Sequence, residues 1–471
     1  MLHGCGSSTS SCLPSTLPSV LSTFTALTVP TSPPTSPLDL HSISTGINHA
    51  CAVTKSGELY SWGNGVTITT TAAAAAVDST VKIDNNDGDN ASSSSSSTPL
   101  PSPPPTTFQP CPLPPSLASS LPNLTAITLP TRPHILSCSC GSHHTLLVTQ
   151  SGLLHTFGSN THAQLGHDFL ENTTTPKVVE ALKDKTIVGA VAGSAHTLCL
   201  TLQGTVYAFG RNSEAQLGST KYLKRTTPLP ANSFEGGRNW ISKVTFYRDE
   251  GGGFKEARGI RITSLAASTN GHASFAISES GTSYWWGKLD STSTDLNDIE
   301  RLPREIPFFK KSYTKMIAAG STFCVIVNRD GTVWAMGKEG PWLGVGPNCR
   351  WKQERPSQVM LEGDLLINGV ACGEKHVILT STEGNIWACG EGEFGRLGVR
   401  EGVEKASDRV NSIPRESEEG WEKIGAEEDG KKMEEEEEGR KGRRKMKRRN
   451  IMIAAGANHT LVYESITEFE D

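Results

Sequence analysis

The chain has 471 residues, with 44 Lys and Arg against 49 Asp and Glu, so its formal net charge is -5. A body without net positive charge has no general electrostatic attraction to nucleic acid, and no apolar stretch is long enough to span a membrane. The eleven cysteines are odd in number and scattered, which is typical of a reducing compartment.

A repeat with fixed glycine spacing runs through the chain. A first glycine is followed three residues later by a histidine and eleven residues later by a second glycine, and a third glycine comes six residues after the second. The first glycines and their histidines are Gly46, His49, Gly141, His144, Gly193, His196, Gly320, Gly373, His376, Gly456 and His459. Three copies differ: the fourth has Thr269 and His272 with one extra residue before the second glycine, the fifth has Phe323 in place of histidine, and the seventh stops before a second glycine.

Each copy is predicted to be a β-hairpin. In the third copy Leu198 and Leu200 alternate with smaller or polar residues, the period of a half-buried strand, and Gly204 supplies the positive φ of a tight turn. Uninterrupted copies recur every 51 to 53 residues (141 to 193, 269 to 320, 320 to 373). That length suits a four-stranded sheet that must pack on its neighbours. The sequence therefore predicts an all-β fold, a seven-bladed β-propeller of four-stranded blades.

The two ends of the chain are predicted to share one blade. The seventh copy supplies a strand after Gly456 and then the chain stops, whereas Leu2–Ser7 aligns with Leu154–Ser159. Pairing of the two segments would close the ring and satisfy edges that each leaves open alone. The alternative is that residues 1–40 form a Ser/Thr/Pro-rich tail.

Residues 1–471 are expected to form a single propeller domain with three insertions. Residues 66–132 are rich in Ser, Pro and Ala and are predicted to be disordered. Residues 220–262 are interpreted as a protruding hairpin. Residues 401–449 are predicted to form a loop that is first acidic and then basic.

The basic end of the third insertion is a candidate nuclear import signal. Its residues are Arg440, Lys441, Arg443, Arg444, Lys445, Lys447, Arg448 and Arg449. The run could also contact nucleic acid or an acidic partner, and nucleic acid is expected to bind only here. The alternative is a solvated loop that the preceding glutamates, Glu434 to Glu438, neutralise.

No catalytic, cofactor-binding or metal site is expected, and the chain is predicted not to be an enzyme. The repeat histidines belong to different blades, so rotation spreads them around a ring and they do not converge as metal ligands must. We interpret them as structural groups that bond backbone within or between blades. Cys138 and Cys140 form the one close cysteine pair, and we interpret them as core residues.

The repeat resembles that of the regulator of chromosome condensation family. The third copy shows the likeness with Val191-Ala192-Gly193-Ser194-Ala195-His196-Thr197, followed by Gly204 to Gly210 and Gln216-Leu217-Gly218. The resemblance covers the chain outside the three insertions and implies a seven-bladed propeller. The best-known activity of that family is guanine nucleotide exchange on the small GTPase Ran, with chromatin binding.

The resemblance also implies what an exchange factor should contain. Exchange-competent members place an aspartate directly before the repeat histidine in a key blade, and they insert a wedge beside the nucleotide. The corresponding residues here are Asn48, His143, Ala195, Gly271, Thr322, Lys375 and Asn458, none of them acidic. The loose counterpart of the wedge is the insertion from Trp240 to Phe254.

A second branch, the fungal alpha-tubulin suppressor type, is similar in layout, with a lone propeller of degenerate repeats. That likeness implies a cytoplasmic and nuclear binding protein, linked to a small metal-binding partner in diphthamide synthesis and transfer-RNA wobble-uridine modification. Two functions are therefore expected: a non-enzymatic protein-interaction propeller, or a guanine nucleotide exchange factor for a Ran-like small GTPase. We expect the cytoplasm, and also the nucleus if the basic run acts as an import signal, and no membrane partner.

Overall fold

The computed structural model describes residues 2–7, 20–27, 39–63, 125–127, 129, 133–219, 241–249, 253–289, 299–306, 313–338, 340, 343–345, 353–359, 361, 366–391, 396–397, 407–412 and 445–470. These residues form thirty β-strands and one short 3-10 helix, Glu180–Leu182. No helix among them is long and apolar enough to cross a membrane.

The strands are grouped into seven sheets, numbered here I to VII along the chain. Sheet I contains β1 (Leu2–Ser7), β2 (Val20–Leu27), β29 (Lys445–Ala455) and β30 (His459–Glu470). Sheet II contains β3 (Leu40–Thr45), β4 (His49–Thr54), β5 (Leu59–Gly63) and β6 (Thr125–Ile127). Sheet III contains β7 (Ile135–Cys140), β8 (His144–Thr149), β9 (Leu154–Gly158) and β10 (Thr173–Val178).

Sheets IV and V follow in the middle of the chain. Sheet IV contains β11 (Ile187–Ala192), β12 (His196–Thr201), β13 (Val206–Gly210) and β14 (Ser242–Lys243). Sheet V contains β15 (Tyr247–Asp249), β16 (Phe254–Glu256), β17 (Ile262–Ala267), β18 (His272–Ser278), β19 (Ser283–Lys288) and β20 (Ile299–Glu305).

Sheets VI and VII complete the set. Sheet VI contains β21 (Thr314–Ala319), β22 (Phe323–Asn328), β23 (Val333–Gly337) and β24 (Gln353–Gln358). Sheet VII contains β25 (Ile367–Cys372), β26 (His376–Ser381), β27 (Ile386–Gly390) and β28 (Ser407–Ser412).

The prediction of an all-β propeller with four-stranded blades is confirmed. Six of the sheets have four strands. In sheets II to VII the second strand of the repeat is buried almost throughout, as in His144–Thr149, because it packs against the sheets on both sides. Buried side chains of neighbouring sheets interlock, as Val325 of sheet VI does with Val377 and Leu379 of sheet VII. The core therefore consists of apolar seams between sheets.

Sheet V departs from the plan because it has six strands. β15 and β16 pair antiparallel with each other, and β15 pairs parallel with β20 through Tyr247 and Arg304. β14, which precedes them, completes sheet IV by pairing with β13. The second insertion thus contributes to two sheets.

The two ends of the chain share sheet I, as predicted. β1 pairs antiparallel with β30, from Leu2 opposite Tyr463 to Gly6 opposite His459. Sheet I packs on sheet II, where the Leu40 N–H donates to Tyr463 Oη at 3.1 Å, and on sheet VII, where Cys5 joins the seam with Ile378. The Ser/Thr/Pro tail alternative is wrong for the strands within residues 1–40, because β-pairing fixes them.

In six sheets the first strand of the repeat, which we call the inner strand, carries a β-bulge at its second residue. There the register with the next strand shifts. The bulged residues are His41, Leu136, Val188, Thr263, Lys315 and Asn368. They mark one side of the propeller, which we call the bulge face. The opposite side, formed by the turns before the repeat histidines, is the histidine face.

In sheet I the hairpin of β29 and β30 has no bulge, and its two strands extend beyond the bulge face. β29 and β30 pair without a register shift from Ala455 opposite Thr460 to Lys445 opposite Glu470. Bulges bend and twist a strand, so an inner hairpin without one can run on straight. Residues 445–449, expected within the loop 401–449, therefore lie in a strand, and residues 407–412 of the same insertion form β28.

Candidate functional site

The repeat histidines lie at the start of the second strand of their sheets, one to a sheet. Five of them are buried: His49, His144, His196, His376 and His459. The backbone of each is paired with that of a glycine. This is the third glycine of the same repeat in four cases, and Gly6 of β1 for His459. They form a ring just below the histidine face. Among the described residues no group of three or more His, Cys, Asp or Glu side chains is arranged to hold a metal ion.

Four of these histidines are hydrogen-bonded to the next sheet through Nε2. In each case the partner is a hydroxyl on the second strand of that sheet. The pairs are His49 with Thr145 (3.0 Å), His144 with Thr197 (3.1 Å), His196 with Ser274 (3.0 Å) and His376 with Thr460 (2.9 Å). Each bond crosses a seam, so the histidines hold neighbouring blades together.

The hydroxyl's second contact fixes the tautomer of the histidine. The Thr197 hydroxyl donates its hydrogen to the Gln164 carbonyl oxygen at 2.8 Å, so it can only accept from His144. Nε2 of His144 must therefore carry the proton. The same geometry recurs where Thr460 donates to the Arg396 carbonyl oxygen. A neutral imidazole whose N–H is hydrogen-bonded to the neighbouring sheet has a structural role, since it links the two sheets.

Burial keeps these imidazoles neutral. Desolvation lowers the pKa of His144 and His196 from 6.5 to about 3, and that of His49 and His459 to about 4. The pKa of His376 is lowered well below its usual value, again mainly by burial. A base with such a pKa carries almost no charge near neutral pH.

Sheet V corrects the alignment of the fourth repeat. The backbone position that histidine holds in other sheets is held by Ala273, which pairs with Gly287 and accepts a hydrogen bond from the Ser268 N–H. His272 therefore lies one residue earlier, as the first residue of β18, and Ser268 takes the place assigned to Thr269. The cause is a longer turn in this copy, with five residues from Ser268 to Ala273 against three from Gly193 to His196.

The first glycine of each repeat is required by close approach. A Cβ on Gly193 would overlap the imidazole ring of His196, and one on Gly141 would overlap the carbonyl oxygen of Gly193 in the next sheet. The first glycines Gly46, Gly320, Gly373 and Gly456 are crowded in the same way. The second glycine has another role, since Gly204 turns the chain at a φ of +78°. Glycine, histidine and hydroxyl thus form one structural unit.

The histidine face carries partly buried charges in two places. On sheet VII, Glu391 lies 3.2 Å from Lys375 Nζ and 3.9 Å from Arg396 Nη2. Between sheets IV and V, Lys288 Nζ lies 3.9 Å from Glu214 Oε2. These ion pairs hold the loops of the face in fixed positions, which suits recognition of a partner.

The histidine face does not show the features expected of an exchange factor. The residues directly before the histidine position are Asn48, His143, Ala195, His272, Thr322, Lys375 and Asn458, with His272 replacing Gly271 after the correction above. None of them is acidic. The β15–β16 hairpin lies on the other side, because β15 runs parallel to β20 and toward the bulge face. The described part of the insertion is therefore not placed as a wedge on the histidine face.

The basic run divides between two parts of the chain. Arg440, Lys441, Arg443 and Arg444 lie outside the described residues. Lys445, Lys447, Arg448 and Arg449 open β29, where their backbone partners on β30 are Glu470, Glu468, Thr467 and Ile466. Its role in nuclear import stays a prediction.

The buried cysteines lie in the core. Cys138 and Cys140 pack in the seam between sheets II and III, where the Cys140 N–H donates to Ser44 Oγ at 2.9 Å. Burial raises the pKa of both thiols. Neither thiol has the low pKa of a reactive cysteine.

Together these features define a β-propeller whose blades are joined by glycine–histidine–hydroxyl units. Comparison with known families adds the sequence relationship. Models of the regulator of chromosome condensation (RCC1) repeat match residues 151–200 and, in a second model, residues 41–66, 136–164 and 187–216. These matches identify RCC1 repeats within residues 41–66 and 136–216 of the chain.

Individual relatives agree with this assignment. The chain is 26% identical over 308 residues to the ultraviolet-B receptor UVR8 of Arabidopsis thaliana, covering 59% of this chain and 69% of that protein. It is 25% identical over 286 residues to the RCC1-like G exchanging factor-like protein of Mus musculus, covering 57% of this chain but only 56% of that protein. The crystal structure of Prp20p from Saccharomyces cerevisiae superposes with a TM-score of 0.64 at 16% identity, over 100% of this chain and 92% of that one. At that identity the likeness concerns the fold.

Proposed function

We propose that the chain is a non-enzymatic protein-interaction propeller whose partner binds the histidine face. The observation that supports this most is the set of ion-paired turns on that face, above a ring of neutral buried histidines. Loops of varied sequence on a β-scaffold suit recognition of a partner. We count sheet V as one blade, β17–β20, extended by the β15–β16 hairpin, which makes the propeller seven-bladed.

Within this proposal, the partner is a small metal-binding protein of the kind implied by the alpha-tubulin suppressor likeness. The layout of a lone propeller with degenerate repeats supports it. We further propose that the protein acts in the cytoplasm and, through its basic run, in the nucleus.

A second candidate function is guanine nucleotide exchange on a Ran-like small GTPase. Its support comes from relatives: the similarity to the mouse G exchanging factor-like protein, and the fold shared with Prp20p, a protein described with its binding to Gsp1p and histones. The absence of a carboxylate before the histidine positions and the placement of the described hairpin on the bulge face weigh against it.

One pair of assays separates the two functions. Purified chain is mixed with a Ran-like GTPase loaded with fluorescent nucleotide, and is also used as bait in the parent cell lysate. No acceleration of nucleotide release, together with recovery of a small metal protein, supports the first proposal. Acceleration by several orders of magnitude would establish the exchange factor instead.

Variants locate the contact. Lys375 is half exposed on the histidine face and is paired to Glu391, whereas Lys183 is exposed elsewhere and paired to Glu180. Lys375→Glu should weaken capture of the partner at least about tenfold, and Lys183→Glu should leave it unchanged, because only the first lies in the proposed interface. Equal capture by both variants would mean that the partner binds elsewhere.

A further inference from the structure

The bulge-face end of sheet V presents exposed aromatic rings that are stacked against arginines. We call this surface the rim patch; it consists of Phe254 and Arg304 of sheet V with Tyr313 and Arg329 of sheet VI. Phe254 is 46% exposed and Tyr313 is 60% exposed. Exposed aromatic rings beside cations are groups on which nucleic-acid bases stack.

The hairpin that carries half of the patch is anchored in the core. Phe246, just before β15, is buried and packs edge-on against Tyr284 and Trp286, with ring centroids 4.9 and 5.9 Å apart. Val244 is buried in the same seam. The surface residues that follow are therefore held on a fixed base, as a recognition site requires.

A buried carboxylate orients one arginine of the patch. Arg304 forms an ion pair with Glu300. The Glu300 side chain is 12% exposed, while that of Arg304 is 40% exposed. The Arg304 guanidinium is thus positioned by Glu300 and remains accessible to solvent.

Each exposed ring has a guanidinium against it. The Arg304 guanidinium carbon lies 5.6 Å from the centre of the Phe254 ring and 6.0 Å from that of Trp285. The Arg329 guanidinium carbon lies 5.8 Å from the centre of the Tyr313 ring. These distances are those of cation–π pairs, which hold a ring in place while much of it stays accessible.

The two stacks lie at the same end of sheet V. Tyr313 packs against the turn at Gly281, between β18 and β19, and the Thr314 N–H donates to the Gly281 carbonyl oxygen at 3.0 Å. Phe254 lies on β16, at the outer edge of the sheet. With strands about 4.8 Å apart, the stacks are separated by roughly 17 Å, which a short extended polymer can span.

We propose that the rim patch binds single-stranded nucleic acid by stacking bases on Phe254 and Tyr313, with Arg304 and Arg329 contacting phosphates. Proteins that bind single-stranded nucleic acid use exposed aromatic side chains beside cations, because every base has a flat face that can stack on a ring. An acidic protein segment would be drawn by the cations but would leave the two rings without a matching surface. This inference concerns the bulge face and does not depend on the partner proposed for the histidine face.

The test is fluorescence anisotropy of the full chain with labelled twelve-nucleotide single-stranded RNA and DNA, a DNA duplex, and a labelled Glu-rich peptide. We expect the single strands to bind more tightly than the duplex or the peptide. The double variant Phe254→Ala, Tyr313→Ala should weaken single-strand binding at least about fivefold, since loss of one base stack alone costs that much. The double variant Phe254→Tyr, Tyr313→Phe should bind as the parent does, because both rings remain.

Leu202→Ala is the matched control, since Leu202 is a large apolar residue, 53% exposed, on the bulge side of sheet IV. It should bind single strands like the parent, and circular dichroism should show all variants folded. The proposal is overturned by tighter binding of the peptide than of the oligonucleotides, which would indicate an acidic protein partner. It is equally overturned by no single-strand binding at all, or by binding that survives loss of both rings.

Discussion

By the spacing of the repeat, Ala50 in sheet II takes the position relative to His459 in sheet I that a hydroxyl residue takes relative to other repeat histidines. Both ring nitrogens of His459 are buried without a hydrogen-bond partner among the described residues. Elsewhere the two positions change together: in sheet V Ala273 replaces the histidine and Cys324 stands opposite, and Phe323 is followed by Val377. A polar residue at the histidine position thus goes with a polar residue at the hydroxyl position, and an apolar one with an apolar one. His459 and Ala50 are the exception.

This mismatch predicts that Ala50→Ser stabilises the protein. The new hydroxyl would accept the Nε2 proton of His459, as Thr197 does for His144, and a buried donor would no longer be unsatisfied. We expect the free energy of unfolding to rise by about 1 kcal/mol in urea denaturation. Ala52→Ser, at a buried position on the same strand, is the control and should lower stability. A loss of stability in Ala50→Ser would refute the account of this pair.

A pair exchange tests the histidine–hydroxyl unit itself. Thr197→Val keeps the shape of the side chain but leaves the Nε2 proton of His144 unsatisfied, so it should cost about 1–3 kcal/mol in denaturant unfolding. The double variant His144→Phe, Thr197→Val copies the Phe323–Val377 pair found in sheets VI and VII. It should be more stable than the sum of the two single changes predicts. Simple additivity would mean that the two side chains are not coupled.

Stability is predicted to fall as the pH drops below about 6.5. The unfolded chain protonates its histidines there, whereas burial keeps the pKa of His144 and His196 at about 3 and that of His49 and His459 at about 4. The stabilising contribution is therefore complete above pH 6.5 and is lost toward pH 4. Between pH 7 and pH 5 each such histidine should cost on the order of 2 kcal/mol.

Urea unfolding at pH 7, 6 and 5 measures this dependence. The pair-exchanged variant with Phe at position 144 has one buried histidine fewer, so its stability should fall less steeply over the same range. A parent protein equally stable at pH 7 and pH 5 would show that these histidines are protonated in the folded state.

Much of the fold could be predicted because the geometry of each hairpin requires particular residues at particular positions of the repeat. Gly204 needs a positive φ and Gly193 must leave room for His196, so the spacing of glycines located each hairpin. The pairing of Leu2–Ser7 with the last strand followed from matching the two incomplete copies. The hydroxyl partners also had a signal in the sequence, since Thr145, Thr197 and Thr460 each follow a repeat histidine.

Other features depend on contacts between segments that do not follow the repeat, so the periodicity of the sequence does not reveal them. β15 joins sheet V through one backbone pair, Tyr247 with Arg304, between segments far apart in the chain. The fourth repeat was misaligned by one residue because its longer turn, from Ser268 to Ala273, leaves more than one way to place His272. The rim patch escaped notice because its arginines and rings come from separate segments of the chain.

Hydrogen exchange at β30 tests most directly the central claim, that the two ends of the chain close the ring. Residues 460–463 lie between β1 and β29, so their amides should be well protected in the full chain. Deleting residues 1–13 removes β1, and the amides that face it should exchange at least about tenfold faster, while His144–Thr149 in sheet III keeps its protection. Unchanged protection of residues 460–463 after the deletion would contradict a ring closed by its own ends.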